Sequence, residues 1–220
     1  MKILDIPRSG SYAGITSSHN RAGQYIRNRR TPTNTQTSRR TAIRSAFGAA
    51  SSAWSALTVA EQAAWAAAAV SHPITDRLGQ SITLTGSQLY VSVNTALQNA
   101  GASTTSTAPS DFSVFGVSGS TGSFSLTTGI ALVPPGSGTS SDYLLVSFGV
   151  PTSAGRTFWK RFTQQQVTTG DSASVAVTTA DYEAVFGTPV VGQKVFTKLT
   201  PVSQYGVTGT PAVFAMVVAS

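Results

Sequence analysis

Between residues 37 and 101 the apolar side chains of this chain recur every three or four positions, and beyond residue 110 they recur every second position. Helical spacing confined to one half and strand spacing to the other predicts an α+β multidomain chain, not an alternating α/β one. The segment between them, 102–110 (ASTTSTAPS), has the small polar composition of a linker.

In the first half, Ile43, Phe47, Ala50, Trp54 and Leu57 mark one stripe of a helix opening near Ser38, a good N-cap residue. Thr58-Val59-Ala60-Glu61 is a capping box, in which a hydroxyl and a carboxylate three residues apart satisfy each other's backbone N–H groups. It opens a second helix that passes Trp65 and stops before Pro73, so the pair forms a hairpin turning at Leu57–Thr58. Thr85-Gly86-Ser87-Gln88 repeats the pattern for a third helix, buried through Leu89, Val93, Ala96 and Leu97 and ended by Gly101. A three-helix module over 37–101 follows, with Trp54 and Trp65 as its anchors.

The second half, 111–220, offers seven candidate strands: Phe112–Val117, Ser123–Leu126, Tyr143–Val150, Thr157–Phe162, Ser174–Thr178, Lys194–Thr200 and Val213–Val218. Short alternating runs between Gly/Pro/Ser turns predict an antiparallel β-sandwich. Asp181–Gly187 reads as a helical turn joining two strands. In Phe158-Trp159-Lys160-Arg161-Phe162, alternation puts Trp159 toward the core and Phe158 and Lys160 on the other face.

Charge separates the chain differently. Residues 1–44 hold nine cations and one anion, while the remaining chain holds six cations and seven anions. The protein is thus a basic arm on a neutral body. Residues 1–36 carry little apolar periodicity and read as an extended arm, its tip pinned by Ile3, Leu4 and Ile6. Arg21, Tyr25, Arg27, Arg29, Arg30, Arg39, Arg40 and Arg44 are the candidate partner-binding residues. Arginine forks onto carboxylates or phosphates, so an acidic protein surface or DNA fits such an arm; the lack of a basic track on the body favours protein. Arg39, Arg40 and Arg44 also sit at the positive end of a helix dipole, where helix stability alone disfavours them. Charged residues make up only 10% of the chain, against about 25% in ordinary globular domains, so much of the surface is expected to meet other protein.

Two resemblances attach to these residues. Lys194-Val195-Phe196-Thr197-Lys198-Leu199-Thr200-Pro201-Val202-Ser203-Gln204-Tyr205-Gly206 is similar to the penultimate strand and turn of fibronectin-type-III and immunoglobulin-like modules, which implies a spacer or binding surface over 111–220. The first half resembles a group of uncharacterised tailed-phage and prophage proteins. The shared features are Tyr25, Arg27 and Arg29, the Thr31–Pro32 turn, Arg39 and Arg40, and W-x-x-L-T-x-x-E-x-x-A-W from Trp54 to Trp65. This resemblance implies a virion structural component. The Trp54–Trp65 hairpin is also similar to that of HMG-box DNA-bending proteins, but it is Ala/Ser-rich and has no Lys.

No catalytic constellation accompanies these features. His19 and His72 lack ligand-spaced partners, Asp181 and Glu183 project to different sides of a turn, and no nucleophile elbow or phosphate-binding loop occurs. No cysteine is present, and no apolar run approaches the ~20 residues of a membrane span. The polar start MKILDIPRSG predicts no secretory export.

The expectation is a non-enzymatic virion structural protein without cofactors, assembled in the host cytoplasm. It docks through the arm and helical module onto a symmetric phage assembly as capsid decoration, cement or head–tail connector. Its partners are major capsid, portal or tail subunits, and it is present in multiple copies, with the sandwich projecting or forming a ring. The alternative is a DNA-binding, genome-organising protein using the arm and hairpin; a third class, glycan binding on the sandwich, follows from fold analogy.

Overall fold

The computed structural model describes residues 9–20, 23–30, 36–75, 78–134, 138–172 and 174–220. The chain divides into two compact units, Met1–Thr41 and Ala42–Ser220, and the fold is α+β, with four helices among the described residues.

In the first unit the arm is not a lone extended strand. Gly10–Tyr12 (β1), Ile15–Asn20 (β2) and Gly23–Asn28 (β3) form an antiparallel sheet in that order. Ala13 and Gly14 join β1 to β2 with φ of 44° and 86°, the left-handed pair that a two-residue type I′ hairpin turn requires. Residues Ile3, Leu4, Ile6, Arg21 and the Thr31–Pro32 turn lie outside the described residues.

Helix α1, Ser38–Trp54, begins at the expected place, but Ser38 is its first helical residue and the Thr37 hydroxyl, not that of Ser38, accepts the Arg40 N–H, at 3.4 Å; the helix buries only Ala50. Helix α2, Val59–Ser71, opens with both halves of the Thr58/Glu61 capping box in place. The Thr58 N–H donates to Glu61 Oε2 at 2.8 Å and the Glu61 N–H to Thr58 Oγ1 at 3.3 Å. The Thr58 N–H, and after it the Thr58 hydroxyl that donates to the same Oε2 at 2.7 Å, hold the Glu61 carboxyl below its ordinary range. The short strands Ile74–Thr75 (β4) and Ser81–Ile82 (β5) pair before α3, Gly86–Asn99, which has the second capping box. Gly86 lets α3 start against α2, since a Cβ there would stand 2.8 Å from the Ala66 backbone nitrogen.

Trp65, Ala69, Leu89, Tyr90, Val93 and Leu97 form the helical core, with Trp54 and Leu57 half-buried against it. Trp65 meets Tyr90 edge-on at 5.1 Å. Buried Asn94 donates to the carbonyls of Tyr90 and Thr105, at 3.1 and 3.2 Å, and accepts the Thr105 N–H at 2.7 Å. The Trp65 indole N–H donates to the Ser106 carbonyl at 2.7 Å. Residues 102–110 are therefore bonded along the helices, which their composition does not reveal.

The strands Thr121–Ser125 (β6), Gly129–Val133 (β7), Tyr143–Phe148 (β8), Thr163–Thr169 (β9) and Val175–Val177 (β10) precede the helix Thr179–Phe186 (α4). Lys194–Val202 (β11) and Ala212–Ala219 (β12) follow it. They pair in the order β10-β7-β6-β12-β11-β8-β9, a mixed sheet curled nearly into a barrel. Every pairing is antiparallel except that Val218–Ala219 of β12 runs parallel to Phe124–Ser125 of β6.

Leu144, Val146 and Phe148 alternate inward from β8 and meet Phe124, Leu132, Val195, Leu199 and Met216. Tyr182 of α4, fully buried, is edge-on to Phe124 and Phe148 and donates to the Gly149 carbonyl at 2.8 Å. Burial pushes its phenol well above the ordinary range.

Two expected strands are not strands. Residues 111–117 are irregular; Phe112 leaves the sheet to stack on His72, 4.2 Å between centroids and 6° between planes. Residues 157–162 form a loop; the strand β9 begins one residue later, in the polar run TQQQVTT.

Candidate functional site

The predicted partner-binding residues fall on two elements. On β3, alternation places Tyr25 and Arg27 on one face, with Thr16 and Ser18 opposite them on β2. Arg29 and Arg30 follow the strand, and the Arg29 N–H donates to the Gly14 carbonyl at 2.6 Å, carrying the cationic run past the first hairpin. The other face carries Tyr12, Ile15 and Ile26, which are 82%, 40% and 44% exposed. Strand period two thus gives this sheet a cationic face and an apolar face, and no described side chain of either is buried.

Arg39, Arg40 and Arg44 lie on α1. At about 100° per residue, Arg39 and Arg40 border the Ile43–Phe47 stripe on its two sides, and Arg44 continues the Arg40 side one turn later. Ile43 is 39% exposed and Phe47 57%. The stripe predicted for this helix exists, but its first two members face outward; only Ala50, Trp54 and Leu57 reach cover. No described side chain from residue 9 to residue 49 is buried. Beside Phe47 lies a groove of about 530 Å³ between α1 and α3, lined by Ser51, Gln88, Val91 and Thr95 among others and by no charged residue.

Arg21 lies outside the described residues. Among those that are described, no group of three or more His, Asp or Glu side chains converges as metal ligands would, and no helix is long and apolar enough to cross a membrane. Sequence reasoning noticed a further cationic group without recognising its setting. Arg156, Lys160 and Arg161 stand with Phe158 and Trp159 in the loop between β8 and β9, around a cup of about 660 Å³. The clue was the charged aromatic run 158–162; strand alternation was the wrong frame for it.

No protein family, curated protein or solved structure matches this chain.

Proposed function

We propose that this chain is a non-enzymatic structural protein of a tailed-phage particle, docked by its basic arm and α1 onto a symmetric shell or ring. The observation that carries this reading is the uncovered first quarter of the chain. A three-stranded sheet and the leading turns of a helix bury no described side chain up to residue 49, while presenting tyrosine, isoleucine, phenylalanine and arginine outward. Small sheets need a packed face for stability, and a helix gains most of its stability in a protein from tertiary packing. A partner surface supplies that packing, and arginines bordering an apolar stripe suit an interface with an apolar centre and acidic rim.

We read the second half as an immunoglobulin- or fibronectin-type-III-like sandwich. Support comes from the pairing, in which β10-β7-β6 and β12-β11-β8-β9 are two ladders joined where the end of β12 crosses to β6. In this reading the three helices form the anchor module, and the sandwich projects from the assembly or builds a ring.

The DNA-binding alternative uses the same face of β3, where Tyr25 lies beside Arg27 and Arg29. Salt-titrated binding to random duplex DNA, run beside co-sedimentation with empty phage shells and portal or tail rings, separates the two. The docking reading expects co-sedimentation and a salt slope near zero for DNA. Tight, salt-steep DNA binding with no affinity for shells or rings overturns it.

A further inference from the structure

The ladder β12-β11-β8-β9 has two ends of opposite character. At one end the loop 149–162 gathers cations onto aromatic rings. The Arg156 guanidinium stands 4.9 Å from the Trp159 ring and 5.9 Å from that of Phe158. Its Nε donates to the Phe158 carbonyl at 3.2 Å. Lys160 Nζ lies 5.7 Å from the same Phe158 ring. The Trp159 indole N–H donates to the Arg161 carbonyl, and Lys194 Nζ donates to the Arg156 carbonyl at 3.4 Å.

Four of the six cations beyond residue 44 are therefore held at one place. Among the described residues, Arg156, Lys160 and Arg161 have no carboxylate partner. Asp181 and Glu183 belong to α4, but neither lines the cup, and the Asp181 carboxylate accepts the Thr178 hydroxyl at 2.6 Å. Phe158 is 58% exposed beside the charges.

The six residues of β8, roughly 20 Å of strand, lead to the other end. Asp142 precedes β8 and Asp171 follows β9, while Asp111 and Asp142 line a groove of about 310 Å³ with Gln204 and Tyr205. Asp142 is turned inward, accepting the Thr139 and Gln204 N–H groups at 2.9 Å each. Asp111 and Asp171 are exposed, the Asp111 carboxylate also accepting the Ser113 N–H at 2.8 Å and the Ser113 hydroxyl at 2.5 Å.

We infer that the cationic loop of one copy seats on the aspartate-lined groove of a second copy, so that bodies associate head to tail along the strand direction. The occupant is a second copy because one body carries both halves of the complement: protruding guanidinium and ammonium groups at one end, and at the other a groove edged by Asp111 with Asp171 exposed at the same end of the ladder. Such an interface is heterologous. It closes into a ring if its rotation permits and otherwise grows as a filament. Trp and Arg anchors beside an apolar rim add the desolvated contact that exposed ion pairs alone lack. Only body residues enter, so the inference stands or falls separately from what the arm grips.

Sedimentation velocity of the full chain over rising concentration, at low salt and at high salt, is the test. The basic end is neutralised by Arg156→Ser, Lys160→Ser and Arg161→Ser together, and the acidic end by Asp111→Asn with Asp171→Asn. The wild type is expected to form concentration-dependent oligomers that dissolve at high salt. Each neutralised variant alone should lose at least about tenfold in association constant, about 1.4 kcal/mol. Mixed one to one, the two variants should form a heterodimer and nothing larger, since only one matching pair of ends remains. Should the triple variant melt early, Lys160→Glu alone replaces it with the same expected loss. Arg27→Ser with Arg29→Ser should leave the association unchanged. The inference is overturned by a wild type that stays monomeric, by oligomers that survive in both variants, or by arm substitutions that abolish them. A cup that binds poly-glutamate or duplex DNA while the chain stays monomeric overturns it too.

Discussion

Residues 9–49 and the seven-stranded sheet both contain short strands with apolar side chains, yet only the sheet buries them. In the sheet, Leu132, Leu144, Val146, Phe148, Val195 and Leu199 are fully buried around Tyr182. In the arm and the first turns of α1, no described side chain is buried, although Ile15, Ile26, Ile43 and Phe47 are apolar. Apolar residues alone do not make a core; they need elements on more than one side. The sheet supplies its own second side by curling, whereas no described side chain of the arm is buried. In the docking proposed above a partner supplies that second side, so that stability and attachment fall to different parts of the chain.

Substitutions can break that comparison. Tyr182→Ala removes the ring shared by Phe124, Phe148 and Phe186, and should lower unfolding free energy by about 3–5 kcal/mol, read by urea denaturation. Asn94→Ala leaves the Thr105 N–H without its partner and frees the packed segment after α3. A loss of about 2 kcal/mol is expected, with the Trp65 fluorescence shifting red as Ser106 moves off.

Tyr182→Phe should cost about 1 kcal/mol at neutral pH and alter the alkaline limb of the stability curve. The folded phenol ionises above its unfolded value of about 10. Its contribution is therefore complete below that pH and is lost as pH rises through the raised folded value. Ultraviolet titration of the six tyrosines should show fewer late-ionising phenols in the variant. Thr85→Ala removes the α3 cap and should cost about 1 kcal/mol in the same denaturation assay. Smallest of all, Arg27→Ser, Arg29→Ser and Phe47→Ser should each shift the stability of the isolated chain by less than about 0.5 kcal/mol while weakening docking to shells or rings. An arm substitution as costly as Asn94→Ala would erase the distinction.

The sequence was most legible where local chemistry decides the structure. Both capping boxes start helices where Thr58 and Thr85 place them, and the charge imbalance marks the arm without reference to any fold. It was least legible where partners are remote. The strand β9 is threonine and glutamine along most of its length, and its pairing with β8 is a long-range fact that no periodicity announces. Phe158–Phe162 has the aromatic content of a strand, yet Trp159 folds back onto Gly149, whose missing side chain leaves room for the indole. In the arm, β1–β3 were hidden because no described side chain on either face is buried and one face mixes Ser11, Thr16 and Ser18 with Tyr25 and Arg27. The arginines of the candidate site were legible by count, and Arg39, Arg40 and Arg44 by their place at a helix start; that Tyr25 and Arg27 lie on a paired strand was legible only in the structure.

The claim that the arm is completed from outside is tested most directly by amide hydrogen exchange on the full chain, alone and bound to a shell or ring. The account predicts that β1–β3 and the first turns of α1 exchange within seconds in the isolated monomer and become protected on assembly, while β8 and β11 are protected in both states. Arm amides as slow as those of β11 in the isolated monomer would contradict it.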